Sequence, residues 1–184
     1  MSEIKLPWVV KYAPKTLKDI ILTEELTKLF SQSIKNNTLN NVIFYGEPGI
    51  GKSTLAQILV HDLNVQDVLF QSCSIDGSID MVKTKIQGFC QIVTPPGKYK
   101  VVILDEADSL TQTGGQNAGA QMALRNIIIE AQEDTRFILT CNYIDRIIPA
   151  LQSRCTPIKI DFSIKDIAKR VLYILKEEKI KFKK

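Results

Sequence analysis

Between the apolar stretch Val42-Ile43-Phe44-Tyr45 and a helix-like run from Leu55 to Leu63 stands the segment Gly46-Glu47-Pro48-Gly49-Ile50-Gly51-Lys52-Ser53-Thr54. Nothing else in the chain restricts its fold as much. Strand, glycine loop, Gly-Lys-Ser and helix together make a grip for the phosphates of a nucleoside triphosphate. The glycines allow backbone conformations that a Cβ would forbid, so successive N–H groups can turn toward phosphate oxygens. The helix N-terminus adds partial positive charge, Lys52 can reach the β- and γ-phosphates, and Ser53 can hold Mg²⁺. The expected ligand is ATP with Mg²⁺, contacted by Glu47, Pro48, Gly49, Ile50, Gly51, Lys52, Ser53 and Thr54.

Such a loop needs a sheet behind it, and the rest of the chain offers one. Short apolar runs at Val42–Tyr45, Val68–Gln71, Val101–Leu104, Phe137–Thr140 and Ile158–Ile160 read as strands. Helical patterns lie between them, near Lys52–Leu63, Ile79–Gln91, Ala118–Ala131 and Ile144–Leu151. Alternation of this kind implies right-handed crossovers and a parallel sheet with helices on both faces, an α/β fold. Ligands then gather at the carboxyl ends of the strands, where the glycine loop sits.

The 184 residues, 45% of them apolar, suffice for one full core and the start of a second. Residues 1–21 read as an N-terminal arm, 22–162 as the nucleotide-binding domain and 163–184 as the first piece of a helical one. In the second unit a helix is expected over Glu24–Ile34 with Thr23 as its cap. In the third a helix is expected over Ile164–Glu178, after Ser163. The Gly-, Gln- and Asn-rich segment 112–119 reads as a mobile loop. His61 suits the last turn of the phosphate-loop helix, Trp8 an anchor for the arm, and Ile127-Ile128-Ile129 a core-facing helix.

No stretch has the length of a membrane span, and the first residues lack the apolar region of a signal peptide. Cys73, Cys90, Cys141 and Cys155 are scattered, without Cys-x-x-Cys spacing, and read as buried free thiols in a reducing, intracellular setting. The net charge of +4 is a weak sign of nucleic acid, because the last nine residues hold five lysines against two glutamates. A lysine-rich end is usually a solvated face.

Val101-Val102-Ile103-Leu104-Asp105-Glu106 reads as a buried strand ending in two carboxylates. Asp105 would orient the metal's ligands or waters, and Glu106 would polarise an attacking water. The adjacent strand ends at Asn142, whose amide can contact the γ-phosphate or the lytic water, or simply cap a loop.

Three further segments carry a resemblance. Pro149-Ala150-Leu151-Gln152-Ser153-Arg154-Cys155 holds a Ser-Arg-Cys triplet characteristic of clamp-loader ATPases. Leu6-Pro7-Trp8-Val9-Val10-Lys11-Tyr12-Ala13-Pro14 resembles the opening of replication factor C small subunits, and Gln121-Met122-Ala123-Leu124-Arg125 resembles their helix after the acidic pair. The chain thus resembles a small subunit of a replication factor C-type clamp loader, an AAA+ P-loop ATPase with a helical lid, found in eukaryotes, archaea and some viruses. The resemblance implies ATP hydrolysis within a hetero- or homo-oligomeric spiral that opens a sliding clamp and loads it on primer–template DNA. It implies work in the nucleus of a eukaryote or the cytoplasm of an archaeal or virus-infected cell. Arg154 is implied as a finger reaching a neighbouring subunit's ATP and Asn142 as the γ-phosphate sensor. Val9, Tyr12 and Ile21 are implied around the adenine, and Lys83 on a helix that follows the DNA backbone.

Ala13, Gly77 and Asn126 stand where that family commonly has arginine, and Lys83 keeps the charge of an arginine without its planar fork. Two alternatives use the same residues: a nucleotide-binding assembly subunit that lends Arg154 to its neighbour, and another AAA+ DNA-processing motor such as a helicase loader.

Overall fold

The computed structural model describes residues 7–111, 118–162 and 164–180. The segment 112–117, Ser163 and the terminal lysines therefore lie outside the described residues. Among those described, five strands form one parallel sheet: β1 (Val42–Tyr45), β2 (Val68–Ser72), β3 (Lys100–Asp105), β4 (Thr135–Cys141) and β5 (Thr156–Lys159). Their order across the sheet is β2-β3-β4-β1-β5. β1, which feeds the glycine loop, lies between β4 and β5, and β3 with its acid pair lies on the far side of β4.

Helices cover both faces, as the alternation of elements requires. In chain order they are α1 (Trp8–Lys11), α2 (Glu24–Lys35), α3 (Lys52–Asp62), α4 (Ile79–Met81), α5 (Gln87–Cys90), α6 (Ala118–Glu130), α7 (Pro149–Gln152) and α8 (Ile164–Glu177). The period-2 alternation of the strands divides the core in two. One face sets Val42, Phe44, Val101, Ile103 and Ile138 against α2 and α3 through Phe30, Leu55 and Leu59. The other sets Ile43, Val102, Leu104, Phe137 and Leu139 against Val82, Ile86, Leu124, Ile127 and Ile128. Leu55 and Leu59 are fully buried, which stabilises the phosphate-loop helix by about 1.5–3 kcal/mol for each side chain.

Three expected elements take a different form. The helix expected over Ile144–Leu151 is broken: a 3-10 turn covers Ile144–Arg146, and α7 starts only at Pro149. Pro149 is comfortable at a first helical position but holds Ile148 in an extended conformation, at ψ 144°. The strand expected over Ile158–Ile160 starts earlier, at Thr156, and includes Pro157, which an edge strand tolerates. The helix expected over Ile79–Gln91 has a π-helical stretch, Val82–Ile86, between α4 and α5.

Trp8 does not anchor the arm, being 46% exposed. Leu17 does, with its side chain buried and its N–H donating to Asp62 Oδ2 at 2.9 Å. The arm also meets α8 and the turn beyond it, because the Lys11 ammonium and the Tyr12 hydroxyl both donate to Glu178 Oε1 at 2.7 Å. Arg170 donates to the Tyr12 carbonyl at 3.2 Å. α8 leaves Ile164, Val171, Leu172 and Tyr173 exposed.

Candidate active site

The chain leaves β1 through Gly46, whose φ of 149° suits only glycine. A Cβ there would lie 2.5 Å from the carbonyl oxygen of Ile160, the residue after β5. The loop returns at Gly51, also at positive φ, and α3 starts directly at Lys52. The first N–H groups of this 11-residue helix thus face the loop's interior, where an anion is favoured.

Lys52 is 7% exposed, so its ammonium needs partners. It donates to the carbonyls of Gly46 and Glu47 at 2.9 and 2.8 Å and to Asn142 Oδ1 at 2.8 Å. Burial pulls its pKa below the ordinary lysine value, against the opposing pull of Asp108, Asp105 and Glu47. The bond to Asn142 joins the glycine loop to the tip of β4. Asn142 is itself held from behind, since its N–H and that of Tyr143 donate to Asp108 Oδ2 at 3.1 and 3.4 Å. Asp108 is 4% exposed and belongs to the 3-10 turn Ala107–Thr111 after the acid pair.

Asp105 closes β3 and takes hydrogen bonds on Oδ1 from two hydroxyls, Ser53 Oγ at 2.5 Å and Thr140 Oγ1 at 2.6 Å. Glu106 follows at φ 55°, a left-handed conformation uncommon outside glycine, and its N–H donates to Thr140 Oγ1 at 3.1 Å. Its side chain is exposed toward a cavity of about 270 Å³ that it lines with Pro48, Gly49, Lys52, Ser53 and Asn142. The strand tips thus bring Lys52, Ser53, Asp105, Glu106 and Asn142 to one place, although 90 residues separate the first from the last.

The oxygens of Ser53 and Asp105 suit Mg²⁺, which prefers hard oxygen ligands and keeps several waters beside substrate phosphates. Ser53 Oγ and Asp105 Oδ1 meet at the mouth of the phosphate loop, where the two groups could hold such an ion directly or through water.

A second cavity, of about 320 Å³, shares Gly49, Gly51 and Thr54 with the first. Tyr12, Pro14, Ile20, Ile21, Ile50, Phe162 and Ile174 give it mostly apolar walls, with Asp19 and Arg170 at its polar edge. Tyr12 and Ile21 are therefore brought to a cavity that adjoins the phosphate loop. Val9 is not: it is 85% exposed and lines neither cavity.

Arg154 lies elsewhere. It is exposed in the turn after α7 and lines a small cavity with Asn41, Ile128, Ile129 and Gln132. Asn41 precedes β1, whereas Gly46 follows it, so the extended span from Asn41 to Gly46, roughly 16 Å, lies between Arg154's surroundings and the chain's own glycine loop. Lys83 is exposed on the π-helical stretch. At Gly77 a Cβ would lie 2.7 Å from the Cys73 carbonyl oxygen and 3.1 Å from that of Ser109, so this turn has no room for the arginine common in the resembled family.

Sequence reading missed Thr140, Asp108 and the α8 residues Arg170 and Ile174. Thr140 gave one signal, a polar residue at the end of an otherwise apolar strand. The α8 residues gave none, because only the tertiary contact between helix and arm brings them to the cleft.

Comparison with known proteins agrees with this geometry. The profile of the ATPase family associated with various cellular activities (AAA) matches residues 42–163. Replication factor C subunit 4 of Saccharomyces cerevisiae is 41% identical over 97% of this chain and 56% of its own length. The replication factor C small subunit of Saccharolobus solfataricus is 38% identical over 95% of this chain and 53% of its own length. The chain thus spans about half the length of these curated relatives. Among solved structures, the RuvB Holliday junction branch migration motor of Thermotoga maritima superposes with a TM-score of 0.72. That match covers 94% of this chain and 56% of RuvB at 19% identity, a likeness of fold. By its sheet order, its glycine loop with the acid pair on β3, and the profile match over most of its length, the chain belongs to the AAA family of ATPases.

Proposed function

We propose that the chain binds ATP with Mg²⁺ and acts as an ATPase subunit of a replication factor C-type clamp loader, within a multi-subunit spiral that places a sliding clamp on primer–template DNA. One observation carries the reading: Lys52, Ser53, Glu106 and Asn142 line a cavity of about 270 Å³ at the strand tips, with Asp105 bonded to Ser53 at its edge. The 38–41% identity to replication factor C subunits favours a clamp loader over other AAA motors.

In this reading Lys52 exchanges carbonyl partners for phosphate oxygens, which suits a buried ammonium better than neutral acceptors do. Mg²⁺ bound with the nucleotide would neutralise phosphate charge. Glu106 accepts a proton from the attacking water, and the Asn142 amide contacts the γ-phosphate or that water. Tyr12 and Ile21 flank the adenine in the apolar cavity, and α8 begins a helical lid over it. Arg154 serves a neighbouring subunit's ATP. Lys83 contacts the DNA backbone, so DNA binding is independent of sequence. No helix among the described residues is long and apolar enough to cross a membrane.

The test is a titration of the chain with fluorescent ATP. Lys52→Ala should weaken binding by two orders of magnitude or so, the value of two charge-assisted hydrogen bonds at about 1.4 kcal/mol each. Unchanged affinity in a folded variant would remove the premise of the proposal.

A further inference from the structure

We infer that Thr140 is a positioning residue for the acid pair, setting the carboxylate of Asp105 and the backbone of Glu106 through one buried hydroxyl. Thr140 is 1% exposed and belongs to the last turn of pleat in β4. The register of β3 and β4 pairs Ile103 with Ile138 and Leu104 with Leu139, so the next step sets Thr140 beside Asp105. Both then project from the same face of the sheet.

The hydroxyl has one proton and free lone pairs, and both capacities are used. A carboxylate only accepts, so the proton points to Asp105 Oδ1, at 2.6 Å. A lone pair then receives the Glu106 N–H at 3.1 Å. Glu106 stands at φ 55°, where a non-glycine backbone is unfavourable and persists only if neighbours hold it. Ser53 Oγ meets the same Asp105 oxygen, so two hydroxyls from two elements fix that carboxylate. Ser53 belongs to the phosphate loop and must answer to the nucleotide. Thr140 sits buried on β4, a strand paired on both sides, apart from the loop that would take the nucleotide.

Serine can form both bonds; valine keeps the shape of threonine and forms neither. The role presupposes that the cleft binds nucleotide with Mg²⁺, so the experiment must tell the two ideas apart. Affinity for a fluorescent ATP analogue is measured with excess Mg²⁺ and with EDTA, alongside urea unfolding, for the wild-type chain, Thr140→Val, Thr140→Ser and Lys52→Ala. Thr140→Val should lose about tenfold of the affinity gained from Mg²⁺, the worth of one hydrogen bond to a charged group. Its affinity in EDTA should be unchanged, and Thr140→Ser should behave as wild type.

Equal Mg²⁺ gain in folded Thr140→Val and wild type would overturn the assignment, as would equal losses in the valine and serine variants, which would indicate packing of the methyl group. Equal weakening in EDTA and Mg²⁺ would overturn it too. If Thr140→Val does not fold, Thr140→Ala takes its place against the same serine control. Sensitivity to Lys52→Ala with indifference to Thr140→Val sinks the role of Thr140 alone. Indifference to Lys52→Ala sinks the nucleotide reading beneath it.

Discussion

Gly46 and Gly49 look alike in sequence, yet the fold asks different things of them. Both stand at positive φ, but a Cβ at Gly49 meets nothing within 4 Å, whereas at Gly46 it would press on the Ile160 carbonyl at 2.5 Å. Alanine at 49 should therefore cost only the strained conformation, roughly 1–2 kcal/mol. At 46 the collision adds to it, and the loss should exceed that at 49 by roughly 1 kcal/mol or more, the range of local backbone strain. Urea unfolding of the two variants checks the order; equal losses would show that the β1–β5 junction yields easily. The cysteines are set by their local surroundings too. Burial pushes the thiols of Cys73, Cys141 and Cys155 up to about 12 and that of Cys90 to about 11. Thiolate is the reactive form, so the folded chain at neutral pH should resist iodoacetamide and react only on unfolding. Cys90 is half-buried rather than buried as expected, so fast alkylation of Cys73, Cys141 or Cys155 in the native protein is the result that would contradict their burial.

At the scale of elements, local signals and tertiary context divide the account between them. β1 was legible to the residue, since an apolar run between an Asn-rich turn and the glycine loop leaves it no other ends. α2 and α3 were legible within a residue or two because Thr23 and Gly51 mark their starts. The break before α7 was written in Pro149 but was overridden by a helical pattern around it. The apolar wall that Phe162 and Ile174 supply was not legible, because nothing local says that α8 folds back on the arm. Within that arm, the turn Thr16–Asp19 is built on a carboxylate. Asp19 accepts from the N–H groups of Lys15 and Thr16, which hold its pKa below the ordinary aspartate value. A carboxyl whose pKa is lower folded than unfolded adds stability above the unfolded value, and that stability is lost as pH falls through the folded one. Melting temperature should thus fall below about pH 4, and Asp19→Asn should shrink that acid-side fall while leaving its own constant loss at neutral pH. An acid limb identical in the two proteins would mean that the turn does not depend on the charge.

At the scale of the whole molecule, the role proposed for Arg154 would need a second subunit. Lys52 and Glu106 meet at the carboxyl ends of the strands, while Arg154 lies beside Asn41 at the amino end of β1, out of reach of its own phosphate loop. An exposed arginine so placed can act on phosphate only across an interface. In related phosphoryl-transfer systems an arginine supplied in trans is worth roughly 10³–10⁵ in rate. In the assembled complex, Glu106→Gln should keep ATP bound and stop its hydrolysis, because the phosphate cradle survives while water activation is lost. Arg154→Ala should leave ATP binding by its own subunit nearly normal and slow hydrolysis at the neighbour's site. Mixing the two variants in a homomeric ring should then recover part of the activity, wherever an intact Glu106 meets an intact Arg154. In a heteromeric ring, mutating each position in turn should map every Arg154 to the site next door. Hydrolysis slowed only in the subunit that carries Arg154→Ala, with no recovery on mixing, would place the arginine in cis. That outcome would contradict the separation set by β1 and would remove the reason for proposing a site shared between subunits.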